Sequence, residues 1–203
     1  MTQRTIAVVA AGLGAPSSTR LLADRLAAGV ADAATVRGLD GRTPVVEVRD
    51  VAHELTDRLL TGFATGTLAE ALATVSGADG VVAVTPVFSA SYNGLFKSFF
   101  DVLDEHALAG VPVLAAATGG SPRHSLALDH AVRPLFSYLG ALLVPTGVYA
   151  ASADWGSVED GAALARRVER AAGELVDLVA ARPARTVADP FAVTDFARLL
   201  GGQ

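Results

Sequence analysis

Five continuous apolar runs, separated by amphipathic segments, constrain the fold of this chain more than any other feature of its sequence. The predicted strands cover residues 5–12, 44–48, 80–84, 111–117 and 141–149. Because these runs are continuous rather than alternating, we expect strands that are buried on both faces. Helices that connect such strands cross over the sheet. The pattern therefore predicts an α/β fold, a three-layer sandwich with a five-stranded parallel sheet.

Apolar residues that recur on one face predict the helices between the strands. The predicted helices begin near Ser17 or Ser18, run through 51–77 with an interruption at 61–65, begin at Asn93 or Gly94, run over 122–139, and run from Ser157 to Pro183. In the helix that begins at 93–94, the phenylalanines have the spacing of a buried face. Pro134 lies inside the predicted helix over 122–139, so we expect it to remove one backbone hydrogen bond and to kink that helix.

Composition limits the organisation of the chain and its partners. The 203 residues, 51% hydrophobic and 18% charged, contain no linker-like segment, so we predict one domain over 1–182 and a tail over 183–203. The net charge of −5 argues against nucleic acid as a partner. No apolar run approaches the roughly 18 residues of a membrane span, and no signal peptide is evident, so we expect a cytoplasmic protein. Cysteine is absent, and redox chemistry would therefore need a bound cofactor.

The loop after the first strand, residues 12–20, has features of a phosphate site. Ligands in parallel sheets bind beyond the carboxyl ends of the strands. Ser17, Ser18 and Thr19 offer hydroxyl groups at a helix start whose first amides lack partners, and Arg20 adds a positive charge. The loop lacks both the Walker ending and the third glycine of the dinucleotide fingerprint. An ordinary capped helix start is the alternative interpretation.

The loops after the third and fourth strands are also unusual. In the first of these, Pro86 stiffens the strand end, and the small side chains at 89–91 leave room for a flat ligand against the backbone. Phe88 could form a wall for a ring or pack internally. In the second, the adjacent Gly119 and Gly120 let the backbone approach a ligand closely. An ordinary tight turn is the alternative for these glycines.

Together these two loops resemble the NADPH-dependent FMN reductase family, in particular its two-component branch that supplies reduced flavin to monooxygenases. The matching segments are 85–94, 95–98, 118–121, 126–129, 133–134 and 139–141, with Asp101 and His124. The resemblance covers residues 4–180. It implies a flavodoxin-like fold, FMN bound between the three loops, NADPH or NADH as the second cofactor, and a homo-oligomer, either a dimer or a tetramer.

The resemblance also implies roles for particular residues. The implied FMN-phosphate residues are Ser17, Ser18, Thr19 and Arg20, with Gly14 standing where the family often has serine; those beside the flavin are Pro86, Val87, Phe88 and Ser89; and those at the edge of the isoalloxazine ring are Thr118, Gly119, Gly120 and Ser121. Because the loop differs from the common family version at Gly14, the individual phosphate contacts stay open.

Hydride transfer from a nicotinamide to a flavin needs no nucleophile, because the cofactors carry the chemistry. We therefore expect no catalytic side chain. The histidines lack the spaced partners of a metal site, and we interpret His124 as a packing or interface residue. Two alternatives to a flavin reductase that serves a flavin-dependent monooxygenase stay open. One is an NAD(P)H:quinone or azo reductase that holds FMN tightly, and the other is a non-enzymatic electron carrier like flavodoxin.

Overall fold

A computed structural model describes residues 2–156 and 158–185 of the chain. The strands are Thr2–Ala10 (β1), Leu39–Arg42 (β2), Val45–Glu47 (β3), Gly80–Phe88 (β4), Ser91–Tyr92 (β5), Pro112–Gly119 (β6), Leu142–Leu143 (β7) and Val148–Ala151 (β8). The α-helices are Ser18–Val36 (α1), Ala52–Thr61 (α2), Gly66–Ser76 (α3), Gly94–Asp101 (α4), Arg133–Tyr138 (α5) and Val158–Ala180 (α6).

The main sheet has five parallel positions, which confirms the predicted fold class. Short strands β2 and β3 share one edge beside β1, and β7 and β8 share the other edge beside β6. The central strands β1, β4 and β6 are neighbours in that order. When the five positions are numbered by their order along the chain, the sheet has the order 2-1-3-4-5 of flavodoxin-like folds. In this order the direction of strand addition reverses beside the first strand. Ligands bind such sheets at that switch point, which here lies between β1 and β4.

Two separate apolar cores cover the two faces of the sheet. Helices α1 and α6 pack on one face, and helices α2, α3, α4 and α5 pack on the other. The phenylalanines of α4 are buried as expected, and Phe96 and Phe100 contact the ring of Phe136 with centroid distances of 6.1 and 4.9 Å. These rings stabilise the interior of the chain itself, so they are not available to a second subunit.

Both edge strands differ from the sequence prediction. The run expected over 44–48 forms β3, but the strand β2 before it, over Leu39–Arg42, was not predicted; the run expected over 141–149 is divided into β7 and β8. A proline lies between the two short strands at each edge. At the first edge, the carbonyl of Pro44 accepts a hydrogen bond from the amide of Val8 (2.8 Å). At the other edge, Thr146 next to Pro145 donates to Glu174 of α6 instead of to a strand. Proline has no amide hydrogen, so it interrupts a ladder at the edge of a sheet.

The single helix predicted over 122–139 is wrong. That segment contains a 3₁₀ turn at Pro122–His124, a π-helical turn at Leu128–Val132, and then α5. Pro134 lies in the first turn of α5, where a missing amide costs least. The disturbance expected from this proline therefore takes the form of a π-helical turn directly before it, since such turns accommodate a displaced hydrogen-bond ladder.

Other predictions agree with the structure or lie outside it. Helices begin at Ser18 and Gly94, and the segment 51–77 is divided into α2 and α3 as expected. The predicted cap Ser157 and residues 186–203 of the tail lie outside the described residues, so the boundary at 182 stays a prediction. Within the part of the chain that the structure describes, no helix is long and apolar enough to cross a membrane.

Candidate functional site

Three loops meet at the carboxyl ends of the central strands. We define loop one as residues 11–17, loop two as 85–93 and loop three as 118–121. Two long-range hydrogen bonds join them. The side-chain amide of Asn93 in loop two donates to the carbonyl of Ala11 (2.6 Å), and the hydroxyl of Thr118 in loop three bonds that of Thr19 in α1 (2.8 Å). The loops predicted from the sequence to carry the site are therefore held together.

Loop one ends in a helix start that can receive an anion. Ser17 caps α1, because its hydroxyl accepts the amide hydrogen of Arg20 (3.2 Å) and its carbonyl accepts that of Leu21 (3.0 Å). The amides of Ser18 and Thr19 have no intrahelical acceptor, and the helix dipole favours negative charge there. The side chain of Ser18 is exposed, whereas that of Thr19 is buried. The donors that the helix does not use are thus these two amides and the surface hydroxyl of Ser18.

The guanidinium of Arg20 lies between two carboxylates. It donates to Asp24 (2.8 Å) and to Glu47. The pKa of Arg20 is raised, mainly by the hydrogen bond to Asp24, and also by the negative charges of Asp24 and Glu47, against an opposing effect of burial. Arg49 crosses the same loop and donates to the carbonyl of Gly14 (3.1 Å). All these residues line a cleft of about 440 Å³, in which the positive charge of Arg20 is already compensated.

Loop two is a β-hairpin rather than an irregular loop. Strand β4 continues through Pro86 and Val87 to Phe88 and turns back into β5. The two turn residues, Ser89 and Ala90, have φ angles of 49° and 66°, which residues other than glycine rarely adopt. Exposure increases along the hairpin, from the half-buried Pro86 to Phe88, which is 48% exposed. The side chains of Pro86, Val87 and Phe88 therefore form a partly exposed wall of the hairpin, beside loop one.

The two glycines of loop three have different surroundings. Neither has a positive φ. A Cβ atom on Gly120 would meet nothing within 4 Å, whereas one on Gly119 would collide with the hydroxyl of Tyr149. That hydroxyl donates to the carbonyl of Ser121 (2.7 Å), and the side chain of Ser121 accepts from the amide of Arg123 (3.3 Å). Only Gly120 therefore leaves open space for a ligand.

Asn93 and Tyr149 matter more for the site than the sequence indicated. Asn93 was expected only as a possible helix start. Its side-chain oxygen caps α4 by accepting the backbone amide hydrogen of Phe96 (2.7 Å). Its backbone amide donates to the hydroxyl of Thr85 (3.2 Å), and its side-chain amide makes the bond to loop one described above. An asparagine before an apolar helix signals a cap, but its contact with residue 11 has no local signal. The sequence predicted Tyr149 only as part of a strand.

In the described part of the chain, the histidines are not grouped with other possible metal ligands. His124 is exposed at the end of the 3₁₀ turn after loop three. Within residues 2–156 and 158–185, no group of three or more metal-binding side chains is arranged to hold a metal ion.

A parallel sheet of this strand order, with three connected loops at the switch point, defines the class of flavodoxin-like α/β proteins. The model of the family described as NADPH-dependent FMN reductase matches residues 4–156. The chain belongs to the NADPH-dependent FMN reductase family.

Individual relatives agree with this assignment. An NADH-dependent FMN reductase, SfnE, of Pseudomonas putida is 37% identical over 184 residues, which cover 90% of this chain and 96% of that protein. An FMN reductase (NADPH) of Pseudomonas aeruginosa is 40% identical over 150 residues, which cover 74% of this chain and 78% of the relative. The crystal structure of an oxidoreductase from Corynebacterium diphtheriae has a TM-score of 0.86 and 46% identity, covering 90% of this chain and 100% of its own.

Proposed function

We propose that the surface where loops one, two and three converge binds FMN, and that the chain releases reduced FMN to a flavin-dependent monooxygenase. Membership of the family makes the chain an NAD(P)H-dependent FMN reductase, an oxidoreductase. The observation that carries the location is the convergence of the three loops at the strand-order switch point, tied together by Asn93 and by the pair Thr19 and Thr118.

The hydrogen-bond donors and the open space on this surface fit the two ends of FMN. The amides of Ser18 and Thr19 and the hydroxyl of Ser18 suit the phosphate, because a helix start stabilises an anion without a lysine or arginine. The open space over Gly120 suits the edge of a flat ring. We assign the phosphate to Gly14 and residues 17–20, one side of the flavin to 86–89, and the ring edge to 118–121.

The protein contributes binding, orientation and a fixed polar environment. Bound FMN would accept a hydride from the nicotinamide. The backbone amides of loop three would stabilise the negative charge that develops on the ring, because preorganised donors need no rearrangement during the reaction. The hairpin wall at Pro86, Val87 and Phe88 would orient the ring and keep water from one side of it. No side chain is assigned an acid, base or nucleophilic role.

Release of the flavin is supported by the charge balance around Arg20. Since its guanidinium is bound by Asp24 and Glu47, the phosphate would be held mainly by uncharged donors. The phosphate would then lack the ion pair that a guanidinium without carboxylate partners could add, and this favours exchange of FMN over permanent retention. The names of the relatives agree, since they describe FMN as the molecule reduced.

We also propose a homo-oligomer, in which the segment after loop three contributes apolar contacts. Leu126, Tyr138 and Leu142 are 59%, 89% and 39% exposed. Phe96 does not contribute, because this ring is fully buried within its own chain. Sedimentation of the wild type and of a Leu126→Ser/Tyr138→Ser variant tests this proposal. We expect the variant to be a smaller species, and a monomeric wild type at micromolar concentration would overturn it.

Steady-state assays separate this function from its alternatives. NADPH and NADH are each oxidised with FMN, FAD, riboflavin or a quinone as acceptor, using protein dialysed until any flavin that dissociates has been removed. We expect colourless dialysed protein and the highest kcat/KM with FMN. A protein that stays yellow and reduces the quinone without added FMN would be a quinone or azo reductase. Stable FMN binding without nicotinamide oxidation would indicate an electron carrier.

A further inference from the structure

Tyr149 lies directly against the backbone of loop three. Strand β8 pairs with β6 so that Tyr149 is opposite Ala117, and from there its side chain reaches the loop. The ring is buried, with 8% of the residue exposed, and its hydroxyl donates to the carbonyl of Ser121 (2.7 Å). The same hydroxyl occupies the place where a Cβ of Gly119 would be, and the Cζ atom of the ring is 3.2 Å from that place.

We infer that Tyr149 is a positioning residue for the flavin: its hydroxyl fixes the backbone of loop three, and residue 119 is glycine in order to admit that hydroxyl. The inference rests on the proposed function, because the orientation of loop three affects catalysis only if the flavin edge lies against it. The inference also gives the two glycines of loop three different roles. Gly119 serves the internal contact, and Gly120 serves the ligand.

The end of β8 is itself held firmly, which a positioning role requires. Arg167 of α6 donates to Asp154 (3.0 Å) and to the carbonyl of Tyr149 (3.4 Å). The other carboxylate oxygen of Asp154 accepts the amide hydrogen of Ala151 (2.7 Å). Burial, and secondly the negative charge of Asp154, raise the pKa of Tyr149, so its hydroxyl stays protonated and able to donate at neutral pH. A contact made from such a framework restricts the loop more than a surface contact does.

The alternative is that Gly119 is small because the flavin itself approaches there. In that case the hydroxyl of Tyr149 would be an incidental neighbour, and its removal would leave FMN binding unchanged. The two explanations make opposite predictions for a suppressor experiment, since only one of them makes the effect of a side chain at 119 depend on Tyr149.

The first test compares Tyr149→Phe with Thr56→Val, a control that removes an exposed hydroxyl on α2, away from the three loops. FMN affinity is measured by flavin fluorescence titration, with a thermal melt on the same sample. The loss of one buried hydrogen bond predicts about 3- to 10-fold weaker FMN binding by Tyr149→Phe, an unchanged KM for the nicotinamide at saturating FMN, and no effect in the control. Unchanged FMN affinity would overturn the inference.

The second test uses Gly119→Ala, alone and combined with Tyr149→Phe. The alanine alone should weaken FMN binding, because its Cβ collides with the hydroxyl. In the double variant the nearest ring atom is Cζ, so we expect affinity to recover to within severalfold of that of Tyr149→Phe. If the double variant binds no better than Gly119→Ala, the space at residue 119 belongs to the flavin, and the inference is wrong.

A readout without flavin separates this inference from the proposed function. Amide hydrogen exchange at Gly120 and Ser121 is measured in FMN-free protein, and we expect it to accelerate in Tyr149→Phe but not in Thr56→Val. If the wild type bound no FMN, the proposed function would fail, and the exchange data would still decide whether Tyr149 holds the loop. Unchanged exchange would overturn the positioning role even in a protein that binds FMN.

Discussion

The hydroxyl oxygens of Thr19 and Thr118 lie 2.8 Å apart in the interior, although the two residues are 99 positions apart in the sequence. Each residue is only 2% exposed. The bond joins the start of α1 to the end of β6, so loops one and three are held at a fixed separation. The hydroxyl of Thr19 is thereby directed to Thr118, and the phosphate contact assigned to Thr19 falls to its backbone amide.

Removing one member of this pair should destabilise the protein more than removing both. In Thr19→Val or Thr118→Val, the remaining hydroxyl is buried without its partner, which costs about 1–3 kcal/mol. The double variant loses both polar groups at once and should be closer to the wild type. Urea unfolding of all four proteins measures the coupling, and Thr74→Val on the exposed face of α3 is the control. Additive losses would show that the two hydroxyls do not interact.

Ser18→Ala should weaken FMN binding without affecting stability. The Ser18 side chain is exposed and does not cap the helix, so its loss leaves the fold intact. A lost hydrogen bond to a charged phosphate predicts about tenfold weaker binding of FMN and no change for riboflavin, which lacks the phosphate. Ser17→Ala should in addition lower the free energy of unfolding by about 1 kcal/mol, because it removes the cap. Calorimetric titration with each flavin measures these affinities. Equal losses of affinity for FMN and riboflavin in Ser18→Ala would show that the phosphate does not bind at this position.

Glu47→Gln should strengthen FMN binding. The substitution releases the guanidinium of Arg20 from one of its two carboxylates and lets it approach the phosphate. Since partly exposed ion pairs contribute about 0.2–1 kcal/mol, we expect an increase in affinity of about two- to fivefold at low salt, with riboflavin unaffected. Asp50→Asn is the matched control, because Asp50 lines the same cleft but lies beside Arg49. An equal gain in FMN affinity by Asp50→Asn would show that the effect comes from the change in net charge and not from Arg20.

The central features of the fold could be predicted from the sequence because they are encoded locally. The buried strands β1, β4 and β6 are continuous apolar runs, and α1 begins at a serine cap. The edge of the sheet was less predictable. Asp40 and Gly41 in β2 carry no apolar signal, since an edge strand pairs through its backbone on one side only.

The loops were also identifiable, but their connections were not. The spacing of small and hydroxyl residues at strand ends indicated where a ligand binds. The contacts of Thr19 with Thr118, of Asn93 with Ala11 and of Tyr149 with Ser121 join positions far apart in the chain. Such contacts depend on strand register, which a local pattern does not specify. For this reason the sequence could propose both glycines of loop three as ligand contacts without distinguishing their surroundings.

Alkaline pH should destabilise the protein through Tyr149. Its pKa in the folded chain is raised, mainly by burial and also by Asp154, whereas a tyrosine in an unfolded chain ionises near pH 10. Between these two values the native state retains a proton that the unfolded state has lost. The contribution is therefore fully present below about pH 10 and is lost as the pH rises through the folded pKa. Chemical unfolding across this range should show a steeper decline in the wild type than in Tyr149→Phe; parallel curves would contradict it.

Gly120→Val should abolish FMN binding while leaving the protein folded. The φ angle at Gly120 is not in the left-handed region, and a Cβ there meets no atom within 4 Å, so the turn tolerates a side chain. A branched side chain would instead fill the space assigned to the flavin edge. We expect NADPH oxidation to fall with FMN affinity, and Gly120→Ala to show an intermediate loss.

Circular dichroism melting and flavin fluorescence titration on the same sample separate binding from stability. If Gly120 served only the turn, the valine would lower the melting temperature, and the protein that remained folded would keep its affinity. We expect the reverse, because the structure gives this position neither a strained φ nor a close neighbour. Wild-type affinity in a stably folded Gly120→Val protein would exclude loop three from the flavin site and, with it, the assignment of residues 118–121.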